Sequence, residues 1–90
     1  MASNGARQLY KIYVSNIPWT VSHRELKTYF SKFGHIQQAS VVFDKKTGLS
    51  KNYGFVTFST REGLETATKS SLHKLEGNTI KLQPLNSSNQ

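Results

Sequence analysis

Ninety residues hold one domain rather than two, and a composition 36% hydrophobic and 11% aromatic suffices for a small core. The absence of cysteine excludes disulfide frameworks, thiolate zinc sites and cysteine nucleophiles, and no apolar run approaches the length of a membrane span. Twelve Lys/Arg against five Asp/Glu give a net charge of +7, which favours a polyanionic partner, nucleic acid first and an anionic membrane surface second. A surface made basic for solubility is the bland account of the same charge.

Residues 1–9, MASNGARQL, read as a flexible lead-in, with a remnant of a mitochondrial targeting segment as the alternative. YKIYVSN (10–16) alternates and is rich in β-branched and aromatic residues, which predicts a strand. Pro18 then forces a turn. Ser22 with Glu25 three residues later forms a capping box that opens a helix to about Lys32, with Leu26, Phe30 and Phe33 inward and Gly34 ending it. IQQASVVF (36–43) is a second strand, DKKTGLSKN (44–52) a basic loop with a turn at Thr47-Gly48, and 53–58 a third strand. Ser59 and Glu62 offer a second capping box, opening a weaker helix to about Ser70 with Leu64, Ala67 and either Thr68 or Ser71 inward. LHKLEGN holds a turn or short hairpin, TIKLQPL (79–85) is the last strand, and residues 86–90 are a polar tail.

The order β-α-β-β-α-β predicts an α+β, ferredoxin-like domain over residues 10–85, a four-stranded antiparallel sheet with both helices on one face. The helices cover Ile12, Val14, Ala39, Val41, Val56, Phe58, Ile80 and Leu82, and the opposite face has nothing left to cover it. Side chains alternate along a strand, so Tyr13, Tyr53 and Phe55 belong to that second face. A terminal segment folding over these rings is the rival to an open aromatic surface.

At this point the sequence resembles the RNA recognition motif family. KNYGFVTF (51–58) matches the family octamer at every defined position but one, and IYVSNI (12–17) matches its hexamer. The exception is Asn52 where the pattern has glycine. Asn tolerates a positive φ better than most residues, so the fold is expected to survive while the local approach of a phosphate becomes poorer. The resemblance implies that Tyr13 and Phe55 stack bases of single-stranded RNA and that Tyr53 packs on sugar or base. Lys51 is placed to meet a phosphate. Lys11, Lys81 and Gln83 share the open face by alternation, and Lys45 and Lys46 sit in the flanking loop, where a solvated loop without a partner is the alternative. Trp19, beside Pro18 at the end of the first strand, is read as packing, with stacking as the alternative, and His23, His35 and His73 as surface residues without ligand spacing.

IPWT (17–20), FGHI (33–36), FDKKTG (43–48) and REGLETA (61–67) look like a mitochondrial member of the family. That likeness implies stabilisation of mitochondrial messenger RNA, with a leucine-rich pentatricopeptide-repeat protein as partner; a nuclear RNA-binding protein is the alternative. The competing function is a protein-interaction module that binds a partner through its helix face. Acylphosphatase-like hydrolases share the topology but place an Arg in a Gly-rich loop after the first strand, and NIPWTVS has neither. With no Ser-His-Asp set or paired carboxylates, no enzyme activity is expected, and no cofactor, metal or membrane partner either. The domain is expected to be monomeric on its own.

Overall fold

A computed structural model describes residues 10–70 and 72–85. The expectations for the lead-in, the tail and Ser71 lie outside these residues. The elements are β1 (Lys11–Ser15), α1 (His23–Ser31), β2 (Ile36–Phe43), β3 (Ser50–Phe58), α2 (Arg61–Lys69), β4 (His73–Leu75) and β5 (Asn78–Pro84). They form an antiparallel sheet in the order β2-β3-β1-β5-β4, with β1 and β3 adjacent at its centre. The sheet has five strands rather than the expected four. Glu76 and Gly77, both at positive φ (52° and 89°), make the tight turn that folds His73–Leu75 back onto β5. A mirror-image turn of this kind matches the twist of a hairpin, and glycine tolerates its second position without strain.

Ile12, Val14, Val41, Val56, Phe58 and Ile80 face the helices and are buried against Leu26 and Phe30 of α1 and Leu64 and Ala67 of α2. Phe30 and Phe58 meet edge to face with centroids 6.2 Å apart, locking α1 to the centre of the sheet. Ala39 and Leu82, expected inward, are partly buried at the margin of this core. Ile17 and Val21 also insert fully, so both ends of the β1–α1 connection are anchored in the core. Among the described residues no helix is long and apolar enough to cross a membrane.

The capping box at the start of α1 forms as expected. The Glu25 carboxylate accepts from the Ser22 N–H at 3.0 Å and from the Ser22 hydroxyl, and these bonds hold its carboxyl below the usual range. The second box does not form. The hydroxyl of Ser59 is engaged by His35 Nδ1 at 2.6 Å, and Thr60 caps α2 instead, accepting from Gly63 N–H at 3.1 Å. In α2 the half-buried Thr68 turns its hydroxyl back onto the Leu64 carbonyl at 2.9 Å.

His73 corrects the sequence reading. It is only 4% exposed, between Tyr29 Oη (2.8 Å from Nδ1) and the Ala67 carbonyl (2.7 Å from Nε2). A carbonyl only accepts, so Nε2 carries the proton and Nδ1 receives the Tyr29 hydroxyl. Burial pushes the Tyr29 phenol up. His23 and His35 are exposed as expected, yet His23 Nδ1 accepts the outward-facing N–H of Val41 at 2.9 Å. β2 is an edge strand whose pairing is interrupted twice, between Ile36 and Gln38 and between Val41 and Phe43.

Candidate nucleic-acid interface

Period-two alternation decides what the open face carries. Tyr13 of β1 lies directly across from Phe55 of β3, and Ser15 across from Tyr53. The three rings form a closed triangle. Tyr13 is 5.6 Å from Tyr53 and 5.7 Å from Phe55, while Tyr53 and Phe55 stand edge to face at 6.3 Å. Each ring is half-buried, its flanks supported by the others. This spacing suits stacking and holds the rings in place before any ligand arrives.

Gly54 allows the platform to sit close to β2. A Cβ there would overlap the Ser40 carbonyl oxygen and come within 3.0 Å of the Val41 Cα. The octamer glycine therefore serves sheet packing, on the face away from the rings.

Basic and amide groups surround the triangle. The Lys11 ammonium lies 4.8 Å from the Phe55 centroid, a cation–π contact that keeps the charge beside the ring. On β5, Gln83 is the partner of Tyr13 and Lys81 the partner of Ser15. Lys45, Lys46 and Lys51 are exposed in and beside the β2–β3 loop. That loop is shaped by Asp44, whose carboxylate accepts from the N–H groups of Thr47 (3.0 Å) and Lys46 (2.8 Å). These two bonds hold the Asp44 carboxyl below its usual value, with Lys51 adding a smaller attraction.

Two polar residues beside the rings, Gln38 and Ser40, escaped the sequence reading. Gln38, Ser40 and Thr57 join Lys11 and Phe55 around a shallow hollow at the β2 side of the platform. The signal was present: if Ala39 and Val41 face the core, Gln38 and Ser40 face away from it. The Gln38 amide and the Ser40 hydroxyl both donate and accept, as reading the edge of a stacked base requires, while Thr57 is buried.

Asn52 adopts φ +66°, the left-handed conformation expected at this position. Its side chain does more than tolerate it. Nδ2 donates to the Ile17 carbonyl at 2.9 Å, and the Asn52 carbonyl accepts from the Ile17 N–H at 3.0 Å. Trp19, expected to pack, is instead 75% exposed. The residues on either side of it, Ile17, Pro18 and Val21, take the buried positions. Among the described residues, no three acidic or His side chains gather as a metal site requires.

With this geometry established, the RNA recognition motif family model matches residues 12–81. The chain belongs to that family. The mitochondrial SRA stem-loop-interacting RNA-binding protein of Bos taurus is 39% identical over 72 residues, 80% of this chain and 65% of that protein. The chain thus spans slightly under two-thirds of this relative. The chloroplastic 28 kDa ribonucleoprotein of Nicotiana sylvestris is 40% identical over 71 residues, 79% of this chain and 24% of that protein. Among solved structures, the RNA-binding domain of Hrp1 in complex with RNA superposes with a TM-score of 0.80 at 24% identity, over 88% of this chain and 47% of that one. The ferredoxin-like fold of an RNA recognition motif is common to both.

Proposed function

We propose that this RNA recognition motif binds single-stranded RNA across the open sheet face. Tyr13 and Phe55 stack bases, Tyr53 packs on a sugar or base, and Lys11, Lys51, Lys81, Lys45 and Lys46 meet phosphates, with Gln83 hydrogen-bonding at the margin. The observation that carries this reading is the ring triangle, half-exposed on a face that no described element covers. Stacking on protein aromatics contributes about 1–3 kcal/mol per base and is tolerant of base identity, so the platform supplies affinity more than sequence choice.

The likeness to the mitochondrial SRA stem-loop-interacting RNA-binding protein supports RNA binding inside the mitochondrion. A role in messenger RNA stability and a leucine-rich pentatricopeptide-repeat partner are the further parts of this proposal.

The test is a titration of ¹⁵N-labelled protein with a short mixed-sequence single-stranded RNA, beside a folded Tyr13→Ala/Phe55→Ala variant. Amide shifts concentrated on residues 11–15, 53–57 and 79–83, and lost in the variant, are the expected result. Shifts confined to the helices or to scattered lysines would transfer the function to protein docking.

A further inference from the structure

Leu82 faces the helices by alternation but is only half-buried, and the reason lies at the sheet margin. β4 pairs with β5 only over Asn78–Ile80, whereas β5 runs on to Pro84. Past Ile80 no described strand covers the outer edge of β5, and Pro84 has no N–H to offer one. The gap is a hollow of about 500 Å³ between β5 and the end of α2, lined by Thr68, Ser70, His73, Lys81, Leu82 and Pro84. Its size is that of a cleft for a small ligand, with Leu82 and Pro84 as its apolar part.

The hollow is continuous with the ring triangle. Ser15 of β1 has Tyr53 as its partner on one side and Lys81 on the other. Residues directly opposite share a face, so these three form a row across the open side of the sheet. Two strand spacings, roughly 10 Å, separate Tyr53 from Lys81, a span within reach of the adjoining nucleotide. Lys81 ends the row at the rim of the hollow. Exposed Lys69, at the end of α2, and Lys74 of β4 add positive charge to this margin, and among the described residues no carboxylate lines the hollow. An anionic strand leaving the rings meets Lys81 first, so a nucleotide suits the hollow better than a neutral peptide does.

The polar groups of the hollow have committed their protons. The Thr68 hydroxyl donates to the Leu64 carbonyl at 2.9 Å, and the Ser70 hydroxyl donates to the Leu72 carbonyl at 3.1 Å. A hydroxyl has one proton and two lone pairs, so both oxygens can only accept from a ligand. His73 is engaged at both ring nitrogens. Adenine and cytosine carry an amino group that donates, where uracil carries a carbonyl that accepts. We infer that the hollow seats the nucleotide next to the one at Tyr53, its phosphate on Lys81 and its base against Leu82 and Pro84, and that it takes adenine or cytosine in preference to uracil. This seat rests on the sheet being an RNA platform and extends it around the margin of β5.

The Leu82 methyl resonances report on the hollow, because the ring current of a base lying against them shifts them upfield. A uridine tetramer is compared with pentamers that add uridine, adenosine or cytidine at either end. Wild type, Thr68→Val and Ser70→Phe, each checked for folding, are titrated, and the amides of residues 53–57 follow the platform. Adenosine or cytidine at one of the two ends is expected to move the Leu82 methyls and to tighten binding about twofold to tenfold over uridine, the worth of one hydrogen bond. Thr68→Val keeps the shape but lacks the oxygen, so it should reduce that preference. Ser70→Phe fills the hollow and should abolish it, while both variants still shift the platform amides. Platform amides that move while the Leu82 methyls stay still would overturn the inference, keep the platform reading, and leave the hollow to a protein partner. A preference for adenosine or cytidine that survives in Ser70→Phe would also overturn it, because the rings would then choose the base. Silence from both probes would overturn both readings.

Discussion

Phe55 and Val56 are consecutive residues of β3 that point to opposite sides of the sheet, and truncating each to alanine should separate binding from folding. Val56 is fully buried between the sheet and the helices. Val56→Ala removes two buried carbons and leaves a void, so it should destabilise the domain by about 2–3 kcal/mol. For a domain of this size that is a fall in Tm of roughly 10–20 °C. Phe55 is half-exposed, supported by Tyr13 at 5.7 Å and by the Lys11 ammonium at 4.8 Å. Losing those contacts should lower stability by about 1–2 kcal/mol at most. The lost stacking surface should lower RNA affinity by about 1–3 kcal/mol, a factor of roughly 5 to 150. Val56→Ala, measured well below its Tm, should bind within about threefold of wild type, since its side chain never meets the ligand. Calorimetry for stability and fluorescence anisotropy with labelled RNA for affinity give the two numbers. If Phe55→Ala stays folded and binds RNA as tightly as wild type, base stacking on this face is wrong.

With about three of the five candidate lysines, Lys11 among them, engaged on phosphates at a time and a slope near −0.7 per contact, affinity should fall about 20-fold between 50 and 200 mM salt, and Lys11→Ala should flatten the log–log plot by about 0.7. Asp44 and Glu25 both have carboxyls held below the usual value by hydrogen bonds. Their contribution is complete above the unfolded carboxylate range near pH 4 and is lost as pH falls through their lower folded values. Protection of the Lys46 and Thr47 amides, taken relative to their intrinsic exchange at each pH, should therefore fall at acid pH, and Asp44→Asn, which keeps an acceptor but cannot titrate, should remove Asp44's share of that change. Gly54→Ala should destabilise by about 1–3 kcal/mol, because its Cβ meets the Ser40 backbone rather than a movable side chain. Chemical denaturation would reveal it, and an unchanged midpoint would show that β2 can retreat.

The ring triangle was legible because it needs only two local facts: strands alternate, and β1 neighbours β3. A fold with both helices on one face then leaves Tyr13, Tyr53 and Phe55 no other place. What escaped depended on contacts between distant segments. His73 looked like a surface residue until Tyr29, 44 positions earlier, met it with a hydroxyl while Ala67 supplied an acceptor. Ser59 had the spacing of a cap, but His35 from across the fold took its hydroxyl and the cap moved to Thr60. Trp19, beside Pro18, was read as packing rather than stacking, whereas Ile17 and Val21 take the buried positions of that turn. Asn52 was readable as a residue that permits a backbone angle. Its grip on Ile17, 35 positions away, was not.

The margins of the sheet bear on how copies of this domain live side by side. Strand edges invite other strands, and a polymer that gathers many copies in one place raises the danger of edge-to-edge growth. Here β4 is only three residues long, too short to template a partner securely. At the far side β2 is broken twice in register, and the imidazole of His23 occupies the N–H of Val41 that would otherwise greet a neighbour. Both margins are thus blunted against strand addition by a neighbouring copy.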